Sequence, residues 1–189
     1  MEARKFFGIM FSMLIVGCTN GIEDPATVQD DEPGISDRVT YTASGSDLDL
    51  WTAPRSNIIS AHEQGMLITS AEDEPESSGR TQGVYMQVPE AFEEDASGQQ
   101  VRISITARSA PANGSKSFAV AYSTREVGNS GWQQFEASDV FETHSFQYSV
   151  NPMQEGQGDF VGIWADTSGS GRAIIVESVT VEVLAAPGT

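Results

Sequence analysis

The chain has 189 residues, with 27 Asp and Glu against 10 Lys and Arg and a formal charge of −17. That length holds one domain of ordinary size with extensions, and the acidity excludes nucleic acid as a partner, because phosphate backbones need clustered cations and only Arg4 and Lys5 cluster. The single cysteine, Cys18, excludes an internal disulfide and any cysteine-based metal site, so the folded part is stabilised by its core.

Arg4 and Lys5 precede an apolar run from Phe6 to Val16, interrupted by Gly8 and Ser12, and Gly17 stands before Cys18. A charged start, a short apolar stretch and a small-residue cleavage site make a secretory signal of residues 1–17. The apolar run is too short to span a hydrocarbon core, which takes roughly 20 residues. Ile15-Val16-Gly17-Cys18 resembles the lipobox of bacterial lipoproteins. The resemblance implies a diacylglycerol on the Cys18 sulfur and acylation of the new N-terminus, several chains together giving the stable anchoring that one cannot. With Thr19 after the cysteine, it also implies the outer membrane of the cell envelope in a host with Gram-negative sorting. The membrane is then touched through the N-terminal lipid only. Residues 18–37 therefore read as anchor plus tether: around Asp30-Asp31-Glu32-Pro33-Gly34 they carry little apolar content and are expected to be disordered.

From Arg38 to residue 185, short apolar-alternating runs are broken by Gly, Ser, Pro and Asn, leaving 186–189 as a tail. Strands are predicted near Arg38–Ala43, Asp47–Trp51, Met66–Ser70, Gly83–Pro89, Gln100–Ser109, Ser117–Thr124, Trp132–Ala137, His144–Val150, Phe160–Asp166 and Ala173–Leu184. One short helix is allowed, at Glu90–Ala96, and Ser168-Gly169-Ser170-Gly171 reads as a hairpin turn between the last two strands. Alternation assigns faces: Val101, Ile103, Ile105 and Ala107 inward against Arg102, Ser104, Thr106 and Arg108, and Phe118, Val120 and Tyr122 opposite Ala119 and Ala121. Val84, Met86 and Val88 likewise turn Tyr85 and Gln87 outward, and Phe146, Tyr148 and Val150 do the same for Gln147 and Ser149. One dry and one wet face per sheet predicts an all-β, antiparallel β-sandwich.

Within that pattern, Val101 to Ala107, Gly131-Trp132-Gln133-Gln134-Phe135, Phe146-Gln147-Tyr148, Asp159 to Asp166 and Ile174 to Glu182 follow one another as strands. Their order resembles the jelly-roll carbohydrate-binding modules found beside cellulases and xylanases, within the galactose-binding-like sandwiches. The likeness covers about half the chain, Gly98 to Leu184, and it is a pattern of strands with no chemical signature. It implies a jelly roll, no catalysis, a glycan or envelope polysaccharide as partner, and a structural calcium ion. Glu177 stands where that family commonly has Asp.

Sugar binding by a sandwich needs flat aromatic faces and planar polar groups. The outward set Tyr85, Gln87, Arg102, Ser104, Thr106, Arg108, Gln147 and Ser149 supplies that composition if its strands are neighbours in one sheet, against the alternative of an ordinary solvated face. Trp51, Trp132 and Trp164 are alternative stacking platforms, or else core residues. Calcium takes 6–8 oxygens, and Asp47, Asp49 and Glu177 are its loose candidates. Glycoside hydrolysis would need two carboxylates about 5–9 Å apart in a cleft. Glu63, Glu136, Asp139, Glu142, Asp159 and Asp166 sit mostly in turn-rich stretches and read as solvated, so no catalytic residue is assigned. His62 and His144 lack partners at zinc spacing. The rival to a glycan-binding lipoprotein is an envelope-assembly lipoprotein that uses the sandwich to bind a protein.

Overall fold

The computed structural model describes residues 38–54, 57–70, 83–154 and 158–184, all within the unit Ile35–Thr189. The expected signal, the Cys18 lipidation site and the acidic tether lie outside the described residues. Among these residues the strands are β1 (Thr40–Ser44), β2 (Trp51–Thr52), β3 (Asn57–His62), β4 (Gly65–Ser70), β5 (Val84–Gln87), β6 (Gln100–Ser109), β7 (Ser117–Ser123), β8 (Gln133–Glu136), β9 (Glu142–Ser149), β10 (Phe160–Trp164) and β11 (Arg172–Val183). One helix, α1 (Glu90–Ala96), stands between β5 and β6. The first sheet runs β3-β4-β11-β6-β9 with β1 beside β11, and the second runs β2-β5-β10-β7-β8. Every strand pairing is antiparallel. The fold is the expected β-sandwich with jelly-roll character.

The core is the set of inward positions that alternation marks. Val101, Ile103 and Ile105 of β6 and Val179 and Val181 of β11 face Phe118, Val120 and Tyr122 of β7 and Val84 and Met86 of β5, all buried. Full burial of such a side chain contributes about 1.5–3 kcal/mol, so these rows dominate stability. Trp51 belongs to this core and donates from Nε1 to the Ser44 carbonyl at 3.4 Å. Helix α1 starts after Pro89, carries Glu90 and Glu93 in its first turn, and buries Phe92 and Ala96 one turn apart.

Three local expectations are corrected. Asp47–Trp51 is no strand: the Asp47 N–H donates to Ser44 O at 3.2 Å and the Leu50 N–H to Asp47 O at 3.3 Å, so the chain makes a tight turn and extends only at Trp51. Strand β3 was not foreseen, because Ile58 and Ile59 are adjacent and do not alternate; as an edge strand paired only with β4, it leaves Ile58 64% exposed. Ser168–Gly171 does not close a hairpin, since β10 lies in the second sheet and β11 in the first, and the segment crosses between the sheets. The carboxylate of Asp166 organises that crossing. It is buried, as is that of Asp159, so two of the acids read as solvated are interior groups.

Strand β11 has two partners on one edge. Arg172–Val176 pair with β4 and Ser178–Glu182 with β1, with a register shift between Val176 and Ser178. Gly45 and Gly65, just after β1 and at the start of β4, both abut the Val176 carbonyl there. A Cβ on either would lie 2.0 or 2.1 Å from its oxygen, and the Gly45 N–H donates to Glu177 O at 2.8 Å.

Candidate functional site

The outward residues of the second sheet form the site. Tyr85 pairs across to Gly162 and Gly162 to Ala121; Phe160 lies between Gln87 and Ser123; Trp164 adjoins Ala119, which faces Gln134. Gly162, Ala121 and Ala119 raise nothing beyond a methyl group and make a low strip, but it is a covered one: all three are buried, Ala121 at 6% and Ala119 at 1% exposure. Aromatic pairs stand on both sides of it. Tyr85 meets Phe160 edge-on with centroids 5.8 Å apart, and Trp132, just before β8, meets Trp164 edge-on at 6.1 Å. Beyond Gln134 the surface continues into an open depression of about 810 Å³ bordered by Lys116 and Glu136.

The Phe160 end is tied down from below. Tyr122 donates its hydroxyl to Asp159 Oδ2 at 2.6 Å, and the Asp159 N–H donates to Glu93 Oε1 at 2.8 Å, which links α1 to the start of β10. The Val88 N–H donates to the Asp159 carbonyl at 2.9 Å and ties in the chain beyond β5. Burial, then the neighbouring Asp159 charge, holds the Tyr122 phenol far above its ordinary value. Burial also raises the Glu93 carboxyl, with Asp159 and Glu90 adding to the rise and the Asp159 N–H and Arg125 opposing it. The Arg125 guanidinium lies 5.0 Å from the Phe160 ring centroid, and its backbone takes the left-handed φ of 55°. Next to it the Thr124 hydroxyl and N–H both donate to the Gly128 carbonyl at 2.9 Å.

Of the residues singled out from sequence, Tyr85, Gln87, Trp132 and Trp164 come together on this face. Arg102, Ser104, Thr106, Arg108, Gln147 and Ser149 do not join them: β6 and β9 pair in the first sheet, so these side chains cover the opposite surface. There Arg102, Thr106 and Arg108 engage other residues of the first sheet and its loops. Arg102 bonds Glu182 at 3.0 Å, which also holds Arg38 at 2.9 Å, and Thr106 shares a 2.9 Å hydrogen bond with Thr143. Arg108 donates to Gln64 at 2.9 Å and covers the Phe141 ring at 5.1 Å, above a small apolar cluster with Ile175 and Leu67.

Asp47, Asp49 and Glu177 are exposed, and among the described residues no three His, Cys, Asp or Glu gather as a metal would need. These residues do not fit a calcium ion, which takes 6–8 oxygens. His144 turns inward against Phe118 and Phe135 as part of the interior packing.

Sequence reasoning did not single out Phe160, Gly162 and Ala121 as site residues. The signal was the parity of β7 and β10: alternation already turned Ala119 and Ala121 outward, and small residues on an outer face make a floor.

Taken together, two antiparallel sheets in jelly-roll order, one with an aromatic-flanked strip on its outer face, define an antiparallel β-sandwich. The fold is similar to that of the CBM22-1 xylan-binding domain of Paenibacillus barcinonensis Xyn10C, with a TM-score of 0.54 and 13% identity over 78% of this chain and 95% of that one. It is also similar to the xylan-binding module CBM15, with a TM-score of 0.53 and 13% identity over 79% of this chain and 99% of that one. At such identities the likeness is one of fold. No family model and no curated protein matches the sequence.

Proposed function

We propose that this protein is a non-catalytic lipoprotein that binds a neutral polysaccharide along the strip on the second sheet, held at the cell envelope by lipid on Cys18. The observation that carries the binding reading is the low strip of Gly162 and Ala121 between the Tyr85–Phe160 and Trp132–Trp164 pairs. Ring faces take up the C–H surfaces of pyranose rings, and the amides of Gln87 and Gln134 reach hydroxyls beside them. The strip itself carries no charge, and a chain of net charge −17 repels polyanions, so an uncharged glycan fits and an acidic one does not. Xylan is the first ligand to test, since both folds named above are xylan-binding. The non-catalytic reading is supported by Glu93 and Asp159, whose carboxylates are buried and occupied in holding the fold. Surface display supports a weak site by making contacts multivalent.

Affinity electrophoresis of the detergent-solubilised protein tests the binding. Migration slows in gels containing xylan and is unchanged with polygalacturonate. Tyr85→Ala weakens the retardation about tenfold, equivalent to ~1.4 kcal/mol, while Arg102→Ala on the opposite face leaves it unchanged. Unaltered migration in every neutral polysaccharide removes the glycan reading and leaves the envelope-assembly role. The anchor is read separately from the intact mass: the membrane fraction should hold a chain beginning at an acylated Cys18, and Cys18→Ala should release it into the soluble fraction.

A further inference from the structure

Trp164 occupies an outer-face position, yet it is only 8% exposed. Among the described residues its buried Nε1–H has no acceptor, although a buried indole N–H ordinarily finds a partner. The indole that stands against it is Trp132, inclined at 65°. Trp132 reaches across the sheet, so that a Cβ on Gly83 would lie 3.5 Å from its ring.

The chain on either side of Trp132 is fastened. Ser130 Oγ accepts the Tyr122 N–H at 2.9 Å, Asn129 Oδ1 accepts the Gly131 N–H at 2.9 Å, and Gln133 is in the ladder opposite Val120. Between them Gly131 holds a φ of 65° with nothing within 4 Å of where its Cβ would be. A residue without a side chain, in open space, puts no steric bar on a turn of the Trp132 backbone, although its N–H is held by Asn129.

We propose that Trp132 is a movable cover on Trp164, and that a glycan entering the strip displaces it, stacks on the Trp164 face and accepts the Trp164 Nε1–H through a sugar hydroxyl. This rests on the glycan reading and adds to it the separate roles of the two indoles: Trp164 is the platform and donor, whereas Trp132 competes with the ligand. Donation from a buried N–H also makes the site selective, because a ring lacking the matching hydroxyl leaves the donor unpaired.

The cover and a fixed second platform predict opposite results. Calorimetric titration of the detergent-solubilised full chain with xylohexaose compares wild type, Trp132→Ala, Trp164→Ala and Trp164→Phe. Removing the cover should leave affinity equal or raise it up to about tenfold, as expected when a closed state no longer competes. Trp164→Ala should abolish binding. Trp164→Phe, which keeps a ring and lacks the donor, should weaken it about tenfold, a change equivalent to one hydrogen bond. Without sugar, acrylamide quenching should rise in Trp132→Ala, since of the remaining indoles Trp51 is in the core and Trp164 becomes uncovered. Loss of binding in Trp132→Ala as complete as in Trp164→Ala, or quenching that does not rise, overturns the cover and leaves the glycan reading standing. Failure of both wild type and Trp132→Ala to bind the sugar overturns the glycan reading and the cover with it.

Discussion

Asp166→Ala is expected to lower the free energy of unfolding by about 2–4 kcal/mol, the cost of leaving several buried donors without their acceptor. The side chain is 1% exposed and sits where the chain crosses from the second sheet to the first. Its Oδ2 accepts the N–H groups of Ser170 and Arg172, both at 2.9 Å. Its Oδ1 accepts the Ser168 hydroxyl at 2.6 Å, the Ser168 N–H at 3.1 Å and the Ser115 hydroxyl at 3.2 Å. Alanine leaves several buried donors without an acceptor. Asparagine does little better, because its NH₂ would meet the N–H groups of Ser170 and Arg172. Burial by itself would raise this carboxyl, but the hydrogen bonds from Ser168, Arg172 and Ser115 outweigh it and hold the group below its ordinary value. The folded state therefore binds this proton less readily than the unfolded chain. The contribution is complete above the unfolded value of ~3.9 and is lost as pH falls through the lower folded value. Urea titrations from pH 7 to pH 2 should show wild type losing its advantage over Asp166→Ala below about pH 4. A difference under about 1 kcal/mol at pH 7 would show that the crossing does not depend on this carboxylate.

Gly65→Ala is expected to cost about 3 kcal/mol, at the upper end for overpacking, because the atom that blocks the new methyl is backbone and cannot rotate away. The Cβ would lie 2.1 Å from the Val176 oxygen, and the φ of 140° is itself unfavourable for alanine. Gly45→Ala meets the same oxygen at 2.0 Å and the Met66 nitrogen at 3.0 Å, without the left-handed φ, so its cost is steric alone. Both substitutions strike the place where β1 and β4 meet end to end on β11. Hydrogen exchange should accordingly speed up along β1 and β4 before it changes in the second sheet. Thermal melts within 2 °C of wild type would show that this junction has slack.

The faces of β6, β9 and the second half of β11 were legible because each has one dry side, and a period of two then writes itself into the sequence as apolar and polar residues in turn; β7, buried on both sides, showed its faces as large against small apolar residues. The helix α1 was legible from Phe92 and Ala96 one turn apart after Pro89. Edge strand β3 left no such mark: Ile59 packs against the core, but its neighbour Ile58 is largely exposed, so the apolar residues do not alternate with polar ones. The turn at Ser168–Gly171 was recognisable from its residues, but the strands it joins were not, because glycine and serine permit a bend without specifying what it connects.

By itself, then, the sequence determined an antiparallel sandwich, the inward row of each long strand, and the outward turn of Tyr85, Gln87 and Gln147. Tertiary structure alone decided which outward rows share a surface. Tyr85 and Arg102 are equally outward on their own strands, but β5 pairs with β10 and β6 with β11, which sends them to opposite faces. Sheet membership is set by ladders between residues far apart in the chain, and a local period of two carries no record of the partner. The same long-range pairing brings Gly162, Ala121, Phe160 and Trp132 around one strip and buries Asp159 and Asp166, whose short acidic side chains read locally as solvated.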